Sequence, residues 1–390
     1  MDAVKTVAEP QVVETRQVRA VFALSVADII FVVILAVLLF AAPARLLLDQ
    51  ASQSYIDNGR RILAGWGGAP WISTGYAYDA AVAVTYRVSG GGGVALLTAF
   101  VIALTFGLVY RFAAAESTNG AVSVVVTALS FGAGARYFRI SPEAATWLLV
   151  LLWLRALVSY QEGRARQLYW MPALMLLWVN LDGGYLFGLA LLGVFLVANL
   201  WTRVTSFCPK RGGRAAGRTR HLAPVLALSL GASFVAPQGN GLYAWILNHL
   251  SMQNATRFLP DTTPTSFDFH SLSVVLFAWL LSLGVVGLVL QTKLRVIDVL
   301  LVGFAGWTGL FAPRHIATAA IILALVAAPL LAKSFRSISE RNDIRLRFRG
   351  LAGSLDRWGQ RVAEMERSRT SHIWPIMAVI AIVVIRRTLA

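Results

Sequence analysis

The chain has 390 residues, 57% of them hydrophobic and only 14% charged, with a mean hydropathy of +0.66. That balance leaves too much apolar surface for a soluble fold of this size, and it excludes soluble dehydrogenases, nucleases and disulfide-stapled scaffolds. The formal charge of +16 points to nucleic acid only until the cations are placed along the chain, and the single cysteine, Cys208, cannot close an internal disulfide.

In chain order, a polar start (1–17) carrying Lys5 and Arg16 precedes a first apolar block, 18–42. This block is longer than a signal-peptide core, has no small-residue cleavage site directly after it, and is expected to remain as a membrane anchor. A long outer loop follows, 43–92, with two stretches, 47–63 and 76–88, whose apolar spacing predicts amphipathic helices on the membrane face. The glycines 90–93 read as a flexible joint. Further apolar blocks fall at 93–110, 121–134, 144–160, 168–179, 186–201, 222–236, 272–290, 296–311 and 316–331. Between them, the Gly/Arg run 211–220 reads as mobile, and 237–271 forms a second outer loop rich in Pro, Asn, Thr and Asp. A basic segment, 333–372, in which Arg345, Arg347 and Arg349 alternate with apolar residues, predicts a cytoplasmic arm lying on the membrane surface. The final stretch, 373–390, holds a short apolar segment at 373–385. The expected fold is all-α: a polytopic transmembrane helix bundle over 18–332 with about 10–11 spans, each span taking about 20 residues.

Assigning loops alternately to two sides tests this segmentation. With the N-terminus inside, the inner loops hold 24 Lys and Arg, ten of them between Lys333 and Arg369, and the outer loops hold 8. A wrong segmentation would scramble that ratio, so the positive surplus is a topology signal and an attraction to anionic lipids; no nucleic-acid partner is expected. Two charges fall inside apolar blocks, Asp28 and Arg155, and are expected to pair with each other. Trp147, Trp153, Trp170, Trp178 and Trp201 read as interfacial belts. No internal repeat and no pair of broken helices is apparent, which argues against a duplicated transporter.

Polar groups on the outer side carry the chemistry. Asp49, Asp57, Asp79, Glu143, Asp182, Asp261 and Asp268 are the carboxylates there, with Arg136, Arg139, Arg314 and His315 as their cationic counterparts. These are expected to gather over one outer vestibule. In the segment Trp178-Val179-Asn180-Leu181-Asp182-Gly183-Gly184-Tyr185-Leu186-Phe187-Gly188 the glycines allow a tight turn between two apolar blocks, with Asn180 and Asp182 at the water boundary. The plainer reading is that Asp182 only caps the following helix.

That segment resembles the Trp-Val-Asn-x-His-Gly-Gly-Phe-x-x-Gly stretch of bacterial membrane proteins similar to the GT-C glycosyltransferases. Other matches fall in the same order: Asn58-Gly59-Arg60-Arg61-Ile62-Leu63 with the family's Gly-x-x-Ile-Leu stretch; Pro70-Trp71, Asp79 and Tyr86-Arg87 with its Pro-Trp, acidic and Tyr-Arg spacing; Phe234 to Gly239 with its Asn-Pro-x-Gly turn; and Ala312-Pro313-Arg314-His315-Ile316 with its Arg-His pair at the start of a span. There are departures: Ala51 stands where a second acid follows Asp49, Thr74-Gly75 replaces a His-Glu pair, the late Glu-Trp pair is absent, and Asp182 replaces histidine.

The resemblance implies a GT-C-like enzyme of the bacterial cytoplasmic (inner) membrane, N-terminus in the cytoplasm, taking a sugar from a polyprenyl-phosphate donor at the outer face. Such a transfer needs a carboxylate to take the acceptor hydroxyl's proton and cations to steady the leaving phosphate. Asp49 and Asp57 are the candidate bases; eight residues apart on one helix, they would face about 80° from each other. Arg136, Arg139 and Arg314 are candidate phosphate clamps, because a guanidinium fork suits phosphate oxygens, with lipid head-group anchoring as their plainer role. Asn180, Asp182 and His315 complete the substrate-binding set. No metal-ligand spacing demands a cofactor; a divalent cation between Asp49 and Asp182 or Asp268 is the one weighed. The lost acids equally favour a non-catalytic homologue that binds lipid or scaffolds other envelope-assembly membrane proteins.

Overall fold

The computed structural model describes residues 25–41, 50–65, 75–205, 209–235, 271–340 and 346–367. Among these, every regular element is helical. In chain order the α-helices are α1 (Val26–Ala36), α2 (Gln50–Leu63), α3 (Tyr76–Ser117), α4 (Gly120–Gly134), α5 (Glu143–Gln161), α6 (Met171–Leu181), α7 (Tyr185–Thr205), α8 (Pro209–Ser233), α9 (Leu272–Val289), α10 (Val296–Phe311), α11 (Ile316–Glu340) and α12 (Leu346–Arg367). A π-helical turn, Val37–Ala41, extends α1.

Five segments are long and apolar enough to cross a membrane: α3, α5, α7, α9 and Pro313–Ser339, which contains most of α11. Without water in the hydrocarbon, each backbone N–H and C=O must be satisfied inside its own segment, so the protein is a membrane-spanning helical bundle. The block expected at 168–179 is realised differently. It is a 3₁₀ segment, Ala165–Trp170, followed by the 11 residues of α6, which rise only about 16 Å, well short of about 30 Å of hydrocarbon. The 15 residues of α4 fall short as well.

The bundle is organised around α11. Its face of Ile316, Ala317, Ala319, Ala320, Ile321 and Ala324 is fully buried, and the repeated alanines let neighbouring backbones approach closely where no hydrophobic drive separates helix from lipid. Helices α3, α4, α5, α9, α10 and α12 all pack against it. On the periphery, α9 turns Trp279, Val286 and Val289 outward, as lipid-facing side chains should be. The aromatic reading divides: Trp170 and Trp201 are exposed, whereas Trp147, Trp153 and Trp178 are buried core residues, because each packs between helices and the indole N–H of the last two finds a partner.

The two amphipathic stretches of the first outer loop are helices α2 and the start of α3. Their apolar faces join Ile56, Val82, Val94 and Ile140, and Tyr55 meets Tyr78 edge to face at 5.5 Å. The glycine joint is a single break at Gly90, whose φ of 64° and ψ of −168° interrupt α3. Only glycine adopts that backbone readily, and the break separates the 76–89 stretch from the span proper. The Gly/Arg run 211–220, expected to be mobile, is helical within α8.

Charges inside apolar blocks find different partners from those expected. Arg155 pairs with Glu116 at the end of α3, and Asp28 closes a capping box at the start of α1: the Asp28 N–H donates to Ser25 Oγ at 3.0 Å and the Ser25 N–H to Asp28 Oδ2 at 3.2 Å. Helix α1 begins at Val26 behind its N-cap Ser25, so Asp28 sits in a first turn, where a carboxylate complements the helix dipole. Of the basic arm 333–372, the residues 333–340 continue α11 and 346–367 form α12, whose Asp356, Val362 and Ala363 are buried against α4 and α11. Asn119 Nδ2 donates to Asp356 Oδ1 at 3.3 Å, and Glu366 Oε2 accepts from the Val26 N–H at 2.8 Å. The tail 1–17, most of loop 237–271 and the apolar segment 373–385 lie outside the described residues.

Candidate functional site at the Asp182 turn

The turn between α6 and α7 is shaped by three apolar helix faces meeting one carboxylate. Helix α6 ends when Asp182 adopts extended backbone, and Asp182 is buried. Its Oδ2 accepts two hydrogen bonds, from Thr146 Oγ1 at 2.5 Å and from the Gly184 N–H at 3.2 Å. Thr146 in turn accepts from Trp178 Nε1 at 2.9 Å. The indole, the hydroxyl and the carboxylate thus form a directed chain linking α5, α6 and α7. Asp182 thus takes the Gly184 N–H just ahead of α7, and it also lines a cavity.

That cavity, about 570 Å³, is lined by α5, α7, α10, the start of α11 and one residue of α2. Arg139 and Glu143 come from the approach to α5 and its first turn, Arg314 and His315 from the short 3₁₀ turn before α11, Asp182 from the α6–α7 turn, and Tyr55 from α2. The lining also holds the apolar Phe187, Phe304, Trp307 and Phe311; Phe187 meets the His315 ring edge to face at 5.1 Å. Ser141, also in the lining, is buried, and its hydroxyl has no hydrogen-bond partner among the described residues.

Electrostatics follow from this enclosure. Burial pushes the Asp182 carboxyl above the ordinary carboxylate value, against the pull of its hydrogen bonds from Thr146 and the Gly184 and Gly183 amides and of the Arg314 charge. Burial likewise raises the Tyr55 phenol to about 12, with Glu143 adding to the effect and Arg139 opposing it. A low-dielectric pocket holding two guanidinium groups, two carboxylates and an imidazole suits an anionic group that carries an apolar body.

The expected residues divide. Arg139, Asp182, Arg314 and His315 line one cavity. Arg136 does not: it is directed to Ser271 Oγ at 3.5 Å. Asn180 donates back to the Leu176 carbonyl of its own helix at 2.8 Å. Asp57 is exposed and paired with Arg60 at 3.3 Å, and Asp79 is buried. Asp49, Asp261 and Asp268 lie outside the described residues. No group of three or more His, Cys, Asp or Glu side chains suited to a metal occurs among the described residues.

Sequence reasoning left Thr146, Ser141 and Tyr55 out of the site and treated Glu143 only as one of several outer acids. The signal for two of them was present: an acid and a hydroxyl three residues apart, Glu143 and Thr146, share one face in the first turn of an otherwise apolar helix. No protein-family model matches the chain, and no curated protein matches it either. The functional reading rests on the chemistry of this cavity.

Proposed function

We propose that the chain is a GT-C-like membrane transferase of the bacterial inner membrane. It moves a sugar from a polyprenyl-phosphate donor to a hydroxyl acceptor at the face that carries Asp182, with the N-terminus on the opposite, cytoplasmic side. The observation that carries this reading is the cavity in which Arg139, Arg314 and His315 face Glu143 and Asp182 beside the apolar wall of Phe304, Trp307 and Phe311. The guanidinium groups suit the lipid-linked phosphate and the aromatic wall suits its hydrocarbon. Glu143 takes the proton of the acceptor hydroxyl as that oxygen bonds to the anomeric carbon; the bond from that carbon to the phosphate oxygen breaks, and polyprenyl phosphate leaves with the electron pair. Asp182, held by Thr146 and Gly184, orients the acceptor. Asp49, which begins the outer loop's acidic positions, is the second carboxylate to test.

The test is sugar transfer in membranes supplied with lipid-linked donors. Glu143→Gln and Asp49→Asn are compared with wild type at equal protein abundance, and Asp57→Asn serves as an exposed control. Loss of transfer in Glu143→Gln with the control unaffected supports the reading; full transfer in Glu143→Gln removes Glu143 as the base.

A second reading has its own support: Asp57 faces solvent in an ion pair and Asp182 is enclosed by hydrogen bonds, which suits a homologue that holds a lipid phosphate or a membrane partner without transferring sugar. Wild type inactive with every lipid-linked donor tried, yet retaining polyprenyl phosphate on purification, favours that reading.

A further inference from the structure

Helix α12 crosses three helix ends in turn. At Asp356 it meets α11 and the α3–α4 turn: Arg336 Nε lies 3.9 Å from Asp356 Oδ2, and Asn119 Nδ2 donates to Asp356 Oδ1 at 3.3 Å. Further on, Val362 lies against Gly120, the first residue of α4. At Glu366 it reaches α1, whose Val26 N–H donates to Glu366 Oε2 at 2.8 Å. From Asp356 to Glu366 the helix rises about 15 Å. Both α4 and α1 are peripheral, with Val124, Val125, Ile29 and Val33 exposed within two turns of those ends. Helix α11 starts beside the Asp182 cavity and ends here. The far part of α12 therefore lies at the rim of the bundle, level with the ends of lipid-facing helices and on the side away from that cavity.

Charges are sorted around this helix. Asp356 and Glu366 turn to the bundle, while Arg357, Trp358, Arg361 and Glu364 are exposed, Trp358 at 57%. Neither Arg357 nor Arg361 forms an ion pair among the described residues. At about 100° per residue, Trp358 and Glu364 stand about 120° apart, with Arg361 midway between them. Across the outward face the order is thus aromatic, guanidinium, carboxylate. A bilayer surface has the matching order, from hydrocarbon through phosphate to water, and tryptophan and arginine settle there with an apolar part below and a polar part above. The wider segment 333–369 carries ten Lys and Arg against five acids, the sign of charge that anionic head groups attract.

We propose that the outward face of α12 seats in the head-group layer of an anionic membrane surface. Trp358 lies at the edge toward the hydrocarbon, Arg357 and Arg361 meet lipid phosphates, and Glu364 stays at the water edge. The seat differs from that of an arm spread on the membrane through Arg345, Arg347 and Arg349, because the helix is clamped to three helix ends and offers the bilayer only this strip. It is independent of sugar transfer.

The experiment uses the full chain with Cys208→Ser, reconstituted in vesicles of phosphatidylcholine alone or mixed with phosphatidylglycerol. A fluorophore is placed through Trp358→Cys or, separately, through Glu364→Cys, and quenching by spin-labelled lipid is compared with quenching by aqueous acrylamide. In phosphatidylglycerol vesicles the probe at 358 should be quenched mainly by the lipid and the probe at 364 mainly by acrylamide. Adding Arg357→Gln and Arg361→Gln together should lower lipid quenching at 358 by roughly twofold or more, since each cation near the surface adds to the attraction. These positions are exposed, so the packed face of α12 is untouched, and equal thermal midpoints check this. A probe at 358 open to acrylamide in both vesicles overturns the membrane seat and leaves the face to a soluble partner. Lipid quenching that is the same in both vesicles and unchanged by the arginine substitutions overturns the assignment to anionic head groups.

Discussion

The hydroxyl of Thr146, on the first turn of α5, donates to Asp182 Oδ2 across 36 positions of sequence, and Thr146 Oγ1 itself accepts from Trp178 Nε1. One short side chain therefore satisfies a buried indole and a buried carboxylate at once, tying α5, α6 and the turn into α7 together beside the cavity.

Thr146→Val keeps the shape and removes both bonds. The buried Trp178 N–H loses its acceptor and Asp182 loses a donor, which costs about 1–3 kcal/mol for the groups left unsatisfied. The thermal midpoint of purified protein should fall, and Thr146→Ser should restore most of it. A Val variant that melts with wild type would show that water replaces the hydroxyl without loss.

Gly184 is tightly enclosed. A Cβ there would lie 2.4 Å from Thr146 Oγ1 and 2.7 Å from Asp182 Oδ2, whereas one on Gly183 meets nothing within 4 Å. Gly184→Ala should therefore destabilise by about 1–3 kcal/mol through forced displacement of the turn, and Gly183→Ala should be close to neutral. Paired melting curves of the two variants check this, and equal behaviour would refute the enclosed geometry.

Asp182 also sets a pH dependence. Because burial raises its pKa above the unfolded value of 3.8, the folded chain keeps a proton that the unfolded chain has released. This contribution to stability is complete below the unfolded value and is lost as pH rises through the folded one. Melting temperature measured upward from the ordinary carboxylate range should show a decline attributable to this group, and Asp182→Asn should flatten it. An identical slope in the variant would assign the titration elsewhere.

Docking of α12 offers a test away from the cavity. A Cβ on Gly359 would fall 1.8 Å from Asn119 Oδ1, the atom that caps α4 by accepting from the Val122 N–H at 3.1 Å. Gly359→Val should lift α12 from the bundle and expose Ala363, now buried. With Cys208 replaced by Ser, a cysteine at position 363 should react with maleimide much faster in the Gly359→Val background. Unchanged labelling would mean that α12 yields without undocking.

Several of these relationships were legible in the chain. Amphipathic spacing located α2 and the start of α3, and the glycines located the break, because these depend on periodicity and on backbone freedom at single residues. The convergence of Arg139, Asp182, Arg314 and His315 was also legible, since each sits near where an apolar block begins or ends and the expected alternation of loops puts all four on one side. Arg155 was not: its partner Glu116 ends a helix of 42 residues, and the sequence holds no measure of which helix ends become neighbours.

What the sequence determined by itself was the class of solvent and the local form, since long apolar runs must close their own hydrogen bonds as helices. Whether Asp57 or Glu143 joins Asp182 at the cavity was decided only by packing. Asp57 and Tyr55 lie two positions apart on α2, yet helical rotation and the seat of α2 on α3 turn the tyrosine inward and leave the carboxylate to water, while Glu143, unremarkable at the start of an apolar run, is carried to the wall beside Arg139.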